Sequence, residues 1–358
     1  MNLPAAPALP GLSAPRLARP PRRLLVVKLS ALGDQIFMLA AVTDALRRWP
    51  GLEVDWVVDE RFAAIPRLHP EVRRVFTVPL RRWRKAPLRG AHWRELAALV
   101  RSLRESEYDL VVDGQGMWKS LIVSRLARAA DSITHDPGDC GEAGSARHFR
   151  RRCPPVPHLH GAARLRALMA AALDSDPHCP PDYALHCVAL PAGIEPPPPD
   201  WALLQPHASR PHKRCADELW VRLGQALVAR GVTPVLPWGN DTERAESAAI
   251  CAAIGPSARL APRLDIPAWI GWLGTARLCV STDTGLGHIA SACRVATIML
   301  FRDGPVPVFA PADPVRSSAL GGGGCWPTEA ELDAALARAL RPTTATADSA
   351  AAPALQRA

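Results

Sequence analysis

The chain alternates between two apolar patterns. Short uninterrupted runs rich in β-branched residues are separated by longer segments whose apolar positions recur at helical spacing. "RLLVVKL" at 23–29 is of the first kind and reads as a strand buried on both faces, and 34–49 reads as the helix that follows it. "EVDWVV" and "RVFTVPL" predict two more strands. "HWRELAALVRSLRES" predicts a helix, "YDLVVDG" a strand and "MWKSLIVSRLARA" a helix. From 131 to 160 the periodicity dissolves among Gly, Arg, His and Pro, and a long surface segment is expected there. Such βα alternation implies an α/β fold with a parallel, doubly wound sheet.

"GIEPPPPDW" at 193–201 interrupts the pattern. Its run of prolines suits neither a helix nor a central strand and holds an extended connection. The alternation then restarts: "WALLQP" strand, "ADELWVRLGQALVARG" helix, "TPVLPWG" strand, "DTERAESAAICAAIG" helix, "ARLCVSTDTG" strand, "GLGHIASACR" helix and "VATIMLF" strand, with a last helix at "TEAELDAALARAL". The expected organisation is a disordered leader over 1–22, a first α/β domain over 23–190, a Pro-rich linker over 191–200, a second α/β domain over 201–342 and a disordered tail over 343–358. A cleft would lie between the two sheet edges.

Composition narrows the class. The chain has 358 residues, 48% hydrophobic and 22% charged, a soluble globular profile. The leader lacks the apolar core of a signal peptide, and no run reaches the length of a membrane span, so a cytoplasmic protein is expected. The 9 cysteines form no CxxC pair, which argues for reduced thiols and against a disulfide framework or zinc site. A net charge of +9 admits nucleic acid, anionic lipid or phosphorylated substrates, and a generally Arg-rich composition explains part of it. RNP-type aromatic patterns are missing, which sets nucleic acid aside.

Chemistry concentrates where predicted strands turn into helices, the place where α/β proteins bind ligands. In "VVKLSALGD", Asp34 either caps a helix or serves as a base. "STDTGLGH" offers a Gly-rich helix N-terminus suited to phosphate, although an ordinary N-cap would look similar. Glu243 in "LPWGNDTERAE" either binds ribose hydroxyls or complements the helix dipole. Ser209 and Lys213 follow a strand, where the lysine either pairs with a pyrophosphate or sits in a solvated loop. "RRWRK" at 81–85 either holds phosphates or forms a solvated basic loop. "DGQGMWKS" has the glycines of a tight βα turn.

Taken together, "VVKLSALGD", "RRWRK", "DGQGMWKS", "LPWG" and "STDTGLGH" resemble, in order and approximate spacing, the lipopolysaccharide heptosyltransferase family of ADP-heptose glycosyltransferases, type I in particular. The resemblance runs from about Arg23 to Arg341. It implies a GT-B fold of two Rossmann-like domains, the first binding the acceptor and the second ADP-heptose. The implied reaction moves L-glycero-D-manno-heptose, with inversion, onto the first Kdo of Kdo2-lipid A. No cofactor or metal would be required, since Lys and backbone amides would meet the diphosphate. A monomer on the cytoplasmic face of the inner membrane is expected.

The resemblance assigns Asp34 as general base, with Lys28 and Ser30 in the same motif. Arg81, Arg82, Arg84 and Lys85 match the acceptor-phosphate cluster, and Arg147 the acceptor-binding arginine of a loop that otherwise departs from the family. Ser209 and Lys213 match the diphosphate contacts and Glu243 the ribose-binding acid. Leu264 stands where a Met commonly lies near the adenine. Asp283 matches the sugar-contacting acid, and Thr284, Gly285, Leu286 and His288 the phosphate loop. Phe37 replaces the usual His after GD, Ala208 a Thr, Cys215 a Trp, and "FRDGPVP" a Tyr-Gly-x-Thr-Asp-Pro string. Splitting base and donor between two domains implies closure, hence an open cleft before substrates bind. The rival readings are a nicotinamide-dependent oxidoreductase, which lacks a GxGxxG turn after the first strand, and a catalytically weak nucleotide-sugar or lipid A binding protein.

Overall fold

The computed structural model describes residues 20–85, 90–156, 160–175, 179–185, 188–208, 210–303, 306, 310–311 and 316–341. The 1–19 part of the expected leader and the 343–358 tail lie outside these residues. Residues 20–22 are already placed on the first sheet: the Arg22 N–H donates to Asp109 Oδ2 at 2.7 Å, and its carbonyl accepts from Glu53 N.

The first half forms β1 (Arg23–Val27), β2 (Glu53–Asp59), β3 (Val72–Val78), β4 (Glu107–Asp113), β5 (Arg128–Thr134) and β6 (Arg151–Arg152). All are parallel, in the order β3-β2-β1-β4-β5-β6. The second half forms β7 (Trp201–Gln205), β8 (Thr233–Leu236), β9 (Arg259–Leu260), β10 (Leu278–Thr282), β11 (Thr297–Phe301) and β12 (Ser318–Gly321). Its order, β12-β11-β10-β7-β8-β9, is the same one read from the other edge. Each sheet is a Rossmann-like unit and the pair is a GT-B fold. In each sheet the strand order reverses once, between β1 and β4 and between β7 and β10. The carboxyl ends flanking that reversal are where such sheets bind ligands. The loops after β1, β4, β7 and β10 therefore form the expected site.

Helix α1 (Leu32–Arg48) is buried without a break from Gln35 to Leu46. A helix apolar on all sides must be enclosed, and α1 lies between its own sheet, α7 (Gly161–Leu173) and the second domain's α11 (Gly285–Ala292). One apolar core runs from Leu24 and Val26 through Ile36 and Leu168 to Trp269, Trp272 and Ile289 of the other half. The connection between halves is bound into it. Trp272 Nε1 donates to the Glu195 carbonyl at 2.9 Å, and a Cβ on Gly271 would come within 2.7 Å of Leu190 Cα. Glycine at 271, in α10 (Ile266–Leu273), is what lets the linker lie flat on that helix.

Several sequence expectations need correction. The 131–160 stretch is not a surface segment: β5 and β6 extend the sheet through it, and Ile133, His135, Ala146, Phe149 and Cys153 are buried. Its strands are an edge pair with a mixed pattern, which hides their periodicity. The helix expected over "MWKSLIVSRLARA" is α5 (Trp118–Leu126) and stops there, its last residues entering β5. "RRWRK" is not a loop but most of α3 (Leu80–Lys85). Helices α7 and α10 carried no reading from the sequence, because α7 is nearly uniformly apolar and α10 is short.

Candidate active site

The loop after β1 is held from beside it. Gln115 Oε1 accepts from the N–H groups of Leu29 and Ser30, at 3.1 and 2.9 Å. Gln115 is in turn set by the buried Asp113, whose Oδ1 accepts from the N–H of Gln115 at 2.7 Å and of Gly116 at 3.0 Å. Burial raises the Asp113 pKa, against hydrogen bonds from Ser120 and those two amides. Gly114 lets the turn pack closely, since a Cβ there would stand 2.3 Å from Met38 Cε and move the end of that side chain. The "DGQG" string thus braces the "KLSALGD" loop.

Asp34 is the third residue of α1 and does what a helix-start acid does: its Oδ2 accepts from Ala31 N at 3.2 Å. The same oxygen pairs with Lys28 Nζ at 3.0 Å. The lysine side chain is 7% exposed and the aspartate 35%, so the pair is anchored from below and open towards the cleft. Among the described residues no further contact falls on Oδ1.

Across the cleft, Asp283 directly follows β10 and Thr284 is the N-cap residue of α11. Thr284 Oγ1 bonds Ser281 Oγ at 2.9 Å and makes no side-chain cap, so the first-turn N–H groups of Gly285, Leu286 and Gly287 keep no acceptor within the helix. They present the positive end of the helix dipole. Asp283 Oδ1 bonds His288 Nε2 at 3.1 Å and Oδ2 pairs with Lys213 Nζ. Burial opposes its charged form, but the hydrogen bonds from His288 and Lys213 outweigh it and hold the carboxyl below its ordinary range.

The two loops touch. A Cβ on Gly33 would come within 2.8 Å of His288 Cδ2, and one on Gly285 within 2.2 Å of Leu32 Cδ2. Phe37, which is buried, sets its ring edge-on to His288 and His160, with centroids 5.0 and 4.9 Å away. The expectation of an open cleft therefore meets one whose floor is shut, because glycines at 33 and 285 let two helix starts meet. Above this floor lies a cavity of about 790 Å³. Asp34, Lys213, Glu243, Asp283, Thr284, Gly285 and His288 all line it.

Of the other residues singled out from sequence, Ser209 lies outside the described residues. Leu264 and Leu286 pack on the apolar core and do not line the cavity. Glu243 does line it, yet its Oε2 also accepts from Gly239 N at 2.7 Å while its own N–H donates to Asn240 Oδ1 at 3.0 Å, a reciprocal cap of α9 (Asp241–Ile254). The acceptor cations are elsewhere. Arg82 on α3 is tied to Glu60 and Glu95, at 3.1 and 2.9 Å, while Arg81, Arg84 and Lys85 are exposed beside it. Arg147, at the end of α6 (Ala143–Ala146), is exposed. None of these five lines the cavity.

The structure adds residues that sequence reasoning missed. Arg210, His212 and Asp303 line the second domain's side of the cavity, and Phe62 the first. His135, just past β5, is buried behind the first loop, its Nδ1 without a hydrogen-bond partner among the described residues. Burial, then the charges of Arg164 and Lys28, push its pKa down to about 3. Only the position of His135 at a strand end could have drawn attention to it.

Comparison with known proteins identifies the family. The family described as glycosyltransferase family 9 (heptosyltransferase) matches residues 96–328. A curated lipopolysaccharide heptosyltransferase 1 from Pseudomonas aeruginosa is 39% identical over 283 residues, 78% of each chain. One from Escherichia coli K12 is 33% identical over 301 residues, 82% of this chain and 89% of that one. The solved structure of E. coli heptosyltransferase WaaC with ADP-2-deoxy-2-fluoro heptose superposes with a TM-score of 0.71 at 30% identity, covering 85% of this chain and 92% of the other. The chain belongs to glycosyltransferase family 9.

Proposed function

We propose that this family 9 enzyme transfers L-glycero-D-manno-heptose from ADP-heptose to the first Kdo of Kdo2-lipid A, in building the lipopolysaccharide inner core. The observation that carries the reading is the opposition of Asp34 to the Lys213–Asp283–His288 group across one cavity. A direct displacement at the anomeric carbon, which inverts it, needs a base on one side and charge stabilisation on the other.

Asp34 Oδ1 takes the proton from the Kdo hydroxyl while Lys28 and the Ala31 N–H hold Oδ2. The hydroxyl oxygen bonds to the heptose anomeric carbon as the bond to the diphosphate breaks. The departing ADP charge meets Lys213, Arg210 and the first amides of α11. Asp283 accepts from heptose hydroxyls and Glu243 from the ribose. The exposed cations of α3, with Arg147, take acceptor phosphates and carboxylates. In this reading the chain works as a monomer, peripheral to the cytoplasmic face of the inner membrane, and needs no cofactor or metal.

The test is ADP release measured with ADP-heptose alone and with Kdo2-lipid A added. Acceptor-dependent release supports the proposal. Tight ADP-heptose binding without release under either condition would instead make the chain a nucleotide-sugar binder.

A further inference from the structure

The first sheet's two faces are covered differently. One carries α1 and α7 and merges into the second domain. The other carries α3, α4 (Gly90–Arg104) and α5, whose inward Leu99, Leu103 and Val123 pack with Leu25, Val27 and Val57 in a separate core. The outward side of this second layer is not polar. Trp93 and Ile122 are each 62% exposed and Trp118 46%. On α4, Trp93, Ala97 and Val100 share a stripe at i, i+4, i+7 that borders the buried stripe of Leu99 and Leu103. On α5, Trp118 and Ile122 stand at i, i+4. The helices are neighbours: Arg104 Nε donates to the Leu126 carbonyl at 3.1 Å.

Scattered exposed apolar residues need no explanation, but three large ones on adjacent helices do. Charge indicates the partner. Helices α3, α4 and α5 together hold 9 Arg and Lys and a single acid, Glu95. That acid is already engaged by Arg82 and Trp83. Indoles ringed by long cations suit the headgroup layer of an anionic bilayer, where the rings sit at the apolar boundary and the cations reach up to phosphates. Position agrees. Trp93 and Trp118 lie in the first turns of helices that begin at the carboxyl edge of the sheet, the edge that also carries Asp34.

We propose that the α4–α5 face docks the protein on an anionic bilayer, with Trp93, Trp118 and Ile122 seated at headgroup depth. The proposal rests on the reading of a membrane-borne acceptor. It makes the acceptor side of the cavity face the lipid from which the acceptor rises.

The experiment uses vesicles of phosphatidylethanolamine and phosphatidylglycerol that contain neither acceptor nor donor. The full chain should partition onto them, less at high salt, and brominated lipid should quench part of its Trp fluorescence. Trp93→Ser with Ile122→Ser should lower partition at least about tenfold, leaving the unfolding midpoint and turnover on a de-acylated acceptor unchanged. Unaltered partition in the double variant, or no quenching in the wild type, overturns the proposal; the quenching needs no variant to fold. Self-association in free solution that the double variant abolishes also overturns it, by giving the face to a second copy. Docking without transfer to Kdo2-lipid A would support the surface while sinking the acceptor reading.

Discussion

The loops after β1 and β10 each lie where the strand order of their sheet reverses, and each sets an aspartate near a glycine at the start of a helix. They use the aspartate differently. Asp34 spends one oxygen on Lys28 and a backbone amide and stays 35% exposed. Asp283 commits both oxygens, to His288 and Lys213, and is 13% exposed. Both Asp283 oxygens are engaged, whereas Asp34 keeps Oδ1 clear of Lys28 and the Ala31 N–H, both of which fall on Oδ2. Two strand ends at the reversal points thus yield a candidate base in one domain and a fixed negative anchor in the other.

The largest expected effect breaks the comparison at its first member. Asp34→Asn keeps an acceptor oxygen for the Ala31 N–H but cannot take a proton. Turnover should fall by roughly 10²–10⁴, and the unfolding midpoint should fall as well, because the buried Lys28 loses its ion-pair partner. Near-normal turnover would show that Asp34 is only a helix cap.

The second acts on the anchor. Lys213→Ala should weaken ADP-heptose binding by about tenfold or more, roughly 1.4 kcal/mol, and destabilise the free protein by stranding Asp283. Adding Asp283→Asn should restore stability but not donor affinity. Calorimetry and thermal unfolding on both variants check this, and full recovery of affinity in the double variant would count against a direct diphosphate contact by Lys213.

The third acts where the loops meet. Gly33→Ala puts a Cβ against His288 and should cost about 1–3 kcal/mol by overpacking, with turnover falling alongside. Gly90→Ala, whose Cβ meets nothing within 4 Å among the described residues, is the control and should change neither. Equal stability of the two variants would mean that the loops do not touch in solution.

The smallest effect sharpens the contrast by pH. The Asp283 carboxyl is held below its ordinary 3.8, so its contribution to stability is complete above that pH and is lost as pH falls through the lowered value. Asp283→Asn should therefore flatten the fall of melting temperature below about pH 4. Thermal unfolding across pH checks this, and a limb as steep as the wild type's would mean that Asp283 is no anchor.

Much of this was legible without coordinates. Strands β1, β4, β7, β10 and β11 are buried on both faces, so their apolar runs are unbroken and stand out. The strand-to-helix turns carry Gly and Asp because backbones must approach there, and those residues marked most of the cavity lining in advance. The edge strands β6, β9 and β12 were harder, being only two to four residues long, and β5 beside β6 mixes apolar with polar positions. His135, Arg210, His212 and Asp303 were hidden for another reason, since none carries a local signal and each reaches the site or its support only through folding.

By itself the sequence determined two parallel α/β units, their order, and which strand ends carry acid, lysine and glycine, since periodicity and turn chemistry are local properties of the chain. Tertiary structure decided the rest. It wedged Phe37 between two histidines, tied Asp283 to a lysine 70 residues away, and left the α3 cations outside the cavity on the same side of the sheet as two exposed tryptophans. These depend on which surfaces meet and which stay wet, and so on burial and charge pairing between segments distant in the chain, which no local pattern encodes.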